Sequence, residues 1–75
     1  MAFELYMVDD LIRLAGAGAG FRIDAGLRLT NDLVRIAAAA AQGGARITFA
    51  GMALRPRDDV IRIAAAGRGN ISFDD

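Results

Sequence analysis

The sequence predicts a two-layer α/β fold: a mostly parallel sheet of about four strands with three helices on one face, built from repeated β-α units in a single domain, residues 1–75. Three observations carry this. A six-residue pattern recurs three times, a short alternating strand follows each copy, and the alternation leaves one side of every strand polar.

The pattern is Asp, two aliphatics, Arg, one aliphatic, Ala. It occurs as Asp10-Leu11-Ile12-Arg13-Leu14-Ala15, Asp32-Leu33-Val34-Arg35-Ile36-Ala37 and Asp59-Val60-Ile61-Arg62-Ile63-Ala64. The spacings of 22 and 27 residues lie in the range of α/β solenoid repeats. Each copy reads as an amphipathic helix, and the three are expected near 9–17, 30–41 and 56–66.

In the first helix, Asp9 or Asp10 caps the start and the Gly-rich run Gly16 to Gly20 ends it. In the second, Leu33, Ile36, Ala37 and Ala40 share one face, Thr30 is the expected N-cap, and Gly43-Gly44 the stop. In the third, Pro56 suits the first helical position and Gly67 ends the helix. Acidic residues in each first turn favour the helix dipole.

Strands are expected near 2–6, 21–24, 46–49 and 70–73. Phe3, Leu5, Phe21, Ile23, Ile47, Phe49, Ile71 and Phe73 would face the core. Glu4, Arg22, Asp24, Arg46, Thr48, Ser72 and Asp74 would face the other way. A sheet covered on both faces has unbroken apolar strands, so helices are expected on one face only. Right-handed crossovers stepping in one direction give that result. A ferredoxin-like α+β arrangement is the competing architecture, disfavoured because a repeated helix-strand unit calls for parallel pairing.

The segment Ile47-Thr48-Phe49-Ala50-Gly51-Met52-Ala53-Leu54 is similar to the L-x-L-x-x-N-x-L core of a leucine-rich repeat, with Met52 where that family has Asn or Cys. Phe21 to Arg28 starts in the same way and has Gly26 at that position. The resemblance implies a short solenoid whose open sheet face binds protein. It carries over no catalytic residue.

Composition removes much chemistry. There is no Cys, His, Trp or Lys, and all nine basic residues are Arg. Disulfides, zinc fingers, thiol nucleophiles, imidazole bases and lysine Schiff bases are therefore absent. No cofactor or metal is expected, and no enzyme, with Asp24 and Asp74 the one carboxylate pair left to consider. Nine acidic residues balance nine Arg, so no nucleic-acid partner is expected. No apolar window is long enough for a membrane span, and a cytoplasmic, bacterial setting is expected.

What remains is an interaction protein. Apolar residues make up 55% of a chain too short to bury a large core, and zero net charge does not keep copies apart. The bare ends, Phe3 and Leu5 at one and Ile71 and Phe73 at the other, point to a homo-oligomer. The alternative is a protein partner bound on the polar sheet face by Glu4, Arg22, Asp24, Arg46, Thr48 and Ser72. Arg13, Arg35 and Arg62 each follow the pattern Asp by three residues, a spacing that allows pairing along one helix or a bridge to the next; they and the second basic set Arg28, Arg55 and Arg57 read mainly as solvated charge.

Overall fold

Each Asp-to-Ala segment folds as a helix, and a strand follows each helix. The computed structural model describes residues 6–74, in the order α1 (Val8–Gly16), β1 (Phe21–Asp24), α2 (Thr30–Gly43), β2 (Ile47–Ala50), α3 (Arg57–Gly67) and β3 (Ile71–Phe73). The strands form one parallel sheet in the order β1-β2-β3. The register aligns Phe21 with Ile47 and Ile71, and Ile23 with Phe49 and Phe73. Each strand therefore contributes equivalent residues to each row of the sheet.

The expected sheet of about four strands is corrected to three among the described residues, all parallel. The strand expected near 2–6, with Phe3, Glu4 and Leu5, lies outside the described residues except for Tyr6, which sits in a bend.

Parallel neighbours joined through a helix cross over right-handedly. Both crossovers step the same way, so α2 and α3 lie on one face, and α1 packs beside α2. Burial follows this arrangement. Phe21, Ile23, Ile47 and Phe49 are buried beneath the helices, while Arg22, Asp24 and Ser72 are exposed on the opposite face. Leu11, Leu33, Ile36 and Ile63 reach the core from the helix side. Each such residue contributes roughly 1.5–3 kcal/mol by leaving water.

Small residues let the helices approach. Gly43 lies so close to the carbonyl oxygens of Ala15 and Gly16 on α1 that a Cβ there would overlap them. Gly67 meets the Ile71 side chain in the same way, which places α3 directly on β3. Gly67 is therefore a packing residue, and the left-handed residue that ends α3 is Arg68 (φ 50°). At the end of α2 that place is taken by Gly44 (φ 74°).

The helix starts differ from expectation for a shared reason: no side chain caps any of them. Met7, Leu29 and Pro56 are the extended cap residues. Asp9 and Asp10 lie in the first turn of α1, where they act on the dipole. Thr30 is inside α2, and its hydroxyl turns to α3 instead of to its own backbone. Pro56, with ψ 142°, is still extended, so α3 begins at Arg57.

Gly43→Val should lower stability by about 2 kcal/mol or more, because the Ala15 and Gly16 carbonyls cannot retreat without moving α1. Gly16→Ala, whose added Cβ meets nothing within 4 Å, should be neutral or raise stability by about 0.5 kcal/mol. Urea midpoints at constant m-value check both.

Candidate interaction surfaces

Two surfaces compete for a functional role: the face of the sheet that carries no helix, and the flank at which the stack of layers stops.

The uncovered face is built by strand alternation. Arg22, Thr48 and Ser72 form one register row across β1, β2 and β3. Arg22 and Ser72 are exposed and Thr48 is half-buried. Because Thr48 and Ala50 are small, the Arg22 side chain can lie across β2 to reach Asp74 after β3. Its Nη1 donates to Asp74 Oδ2 at 2.8 Å. Asp24 is engaged locally, with its Oδ1 accepting the Gly26 N–H at 2.8 Å. The two carboxylates considered for acid–base work thus hold an ion pair and a turn. Arg46 is exposed just before β2, and Glu4 lies outside the described residues.

The flank is formed by β3 and α3. Ile71 and Phe73 are half-buried, whereas their register partners Ile47 and Phe49 are 1% and 0% exposed. The Phe73 ring has Phe49 on one side, with centroids 6.4 Å apart. No described residue covers its other side. At the opposite end, Phe3 and Leu5 lie outside the described residues.

A third feature was not legible in the sequence. Arg55, expected to be solvated, is half-buried between the β1–α2 and β2–α3 loops. Its Nη1 donates to Thr30 Oγ1 at 2.8 Å, and its Nη2 donates to the carbonyls of Ala25 (2.6 Å) and Arg28 (3.0 Å). Thr30 Oγ1 in turn donates to Asp59 Oδ2 at 3.3 Å. This relay fastens one loop to the next and to the start of α3. Above it, Leu27 and Leu54 stand fully exposed at the loop tips. Leu54 ends the segment that resembles a leucine-rich repeat, so inward alternation there stops at the buried Met52.

The helix arginines connect neighbouring helices. Arg35 on α2 lies 3.6 Å from Asp9 on α1, and Arg62 Nη2 on α3 donates to Asn31 Oδ1 on α2 at 2.9 Å. Each also faces its own Asp three residues earlier, Asp32 at 3.8 Å and Asp59 at 4.0 Å.

Among the described residues there is no group of three or more acidic side chains placed to hold a metal ion, and no helix long and apolar enough to cross a membrane. No protein-family model, curated protein or solved structure matches the chain.

Replacing Arg55 with Ala leaves Thr30 and two loop carbonyls without their donor. It should cost about 1–3 kcal/mol. Asp74→Asn, which weakens a pair more than half exposed on both sides, should cost less than about 1 kcal/mol. Chemical denaturation of the two variants should rank them in that order.

Proposed function

We propose that the chain is a short α/β repeat stack that works as a structural or scaffolding element by associating with copies of itself. The observation that carries this is the flank at β3. Ile71 and Phe73 are core residues by register, yet they remain half-buried where their counterparts on β2 are sealed. A parallel edge strand with an apolar inner side is a template for a further strand and layer. Three helix–strand pairs with equivalent rows of core residues support the repeat reading. Zero net charge opposes association with no long-range repulsion.

Multi-angle light scattering over a range of concentrations tests this. The average mass should rise with concentration above 7.9 kDa. A particle that stays at that mass throughout would sink the reading. Phe73→Lys should shift the mass toward that of the monomer, because an inward charge on an edge strand resists pairing.

A second reading rests on a different observation. The polar row Arg22–Thr48–Ser72, with Asp24 and Arg46 beside it, lies on a sheet face that no described residue covers. Such a face suits a protein partner of mixed charge. A pull-down with wild-type bait should recover a partner that Arg46→Glu bait loses while its circular dichroism is unchanged. Equal recovery by both baits would remove this face from consideration.

A further inference from the structure

The exposure of the three helices differs in a systematic way. The second aliphatic of the repeated pattern is half-buried on α1 (Ile12) and on α2 (Val34) but is 57% exposed on α3 (Ile61). The closing Ala is fully buried on α1 (Ala15) and α2 (Ala37), and exposed on α3 (Ala64). On α1 and α2 these positions face the next helix in the row. On α3 the same positions form a flank that no described residue covers. The reverse holds on the opposite side of the row. Asp10 on α1 and Ala17 just after it are exposed, whereas Asp32 and Ala39 on α2, and Asp59 and Ala66 on α3, are half-buried against the preceding helix.

The charges follow the same order. The pattern Arg of each helix reaches back to the residue that precedes the pattern Asp on the helix before it: Arg35 to Asp9, and Arg62 to Asn31. One residue at each end is then left over. Among the described residues, Arg13 on α1 has no helix behind it, and Asp58 on α3 has none ahead. Neither side chain has a hydrogen bond or ion pair with a described residue.

We propose that the α3 flank of one copy takes α1 of a second copy, head to tail, with Arg13 of the incoming helix placed against Asp58. This deepens the self-association reading and rests on it. The occupant is a second copy because α1 carries both features the flank needs: the pattern residues that pack on a preceding helix, and the one pattern Arg lacking its backward contact. The layers are offset in the matching sense. α2 and α3 cross between successive strands, α1 lies beyond α2 on the β1 side, and no described helix lies past α3 on the β3 side. An incoming α1 would roof the half-buried Ile71 and Phe73. Because different surfaces meet, the contact is heterologous and leads to a ring or an open filament, not to a two-fold dimer.

The test is a charge swap on the 75-residue chain, read by sedimentation velocity with circular dichroism as the folding control. Asp58→Arg alone and Arg13→Asp alone each set like charges across the junction. Each should raise the concentration of half-association about tenfold or more. Mixed in equal amounts, the two variants present complementary ends at every junction, so association should return toward the wild-type curve. The double variant should associate by itself.

If wild type stays at a single 7.9 kDa species, the self-association reading and this one fall together. If wild type associates but either single variant behaves like it, or the mixture is no better than its components, only the head-to-tail junction is overturned.

Discussion

Every feature at issue follows from one constraint: parallel strands joined by helices that all cross in the same direction. Each right-handed step deposits its helix on the same face. The sheet consequently has one face roofed and one bare, and the helix row and strand row advance together. A doubly wound sheet reverses its direction of growth and closes both faces. Here nothing reverses among the described strands, so one rule creates the polar face around Arg22 and Thr48 and the open flank at β3 and α3.

The small residues have a related cost. Gly43 beside Ala15, and Gly67 against Ile71, bring backbone within reach of backbone or side chain. Close approach gives dense packing, but Ala and Gly remove little apolar area from water. The sealed core is accordingly short of large side chains, with Phe49, Leu33 and a few aliphatics providing most of its area. A domain of this size has little stability to spare. Three further large apolar groups, Ile61, Ile71 and Phe73, lie on the flank and not at the centre.

Periodicity made the fold readable where burial is set by one element's own spacing. Leu33, Ile36, Ala37 and Ala40 share a helical face and all four are fully buried. The alternation from Phe21 to Asp24 gives buried and exposed residues in turn. The misread positions are those whose fate depends on a residue far along the chain. Thr30 looks like a cap, yet its hydroxyl bonds to Arg55 and Asp59, 25 and 29 residues away. Arg55 looks solvated in a loop of charged residues, yet it holds carbonyls at 25 and 28. Gly67 looks like a helix stop, and its actual constraint is the side chain of Ile71. No local pattern encodes such partners. The repeated Asp–Arg spacing allowed for a bridge between helices, but the partners, Asp9 for Arg35 and Asn31 for Arg62, are set by how the helices lie side by side.

That reach also separates what the ladder can do from what it cannot. Exposed ion pairs such as Arg35 with Asp9 contribute at most about 1 kcal/mol each, so they do not hold the helices together. The apolar contact beneath them does that, and it is permissive: Ala against Ala accepts several sliding registers. A charge placed once per helix is not permissive, because a slip that separates Arg from its partner can set it against another Arg. Weak pairs over a smooth apolar contact therefore act mainly on alignment. In the proposed assembly the same division of labour applies at the junction: Ile61, Ile71 and Phe73 supply the area to be covered, and Arg13 with Asp58 decides which helix covers it and in what register.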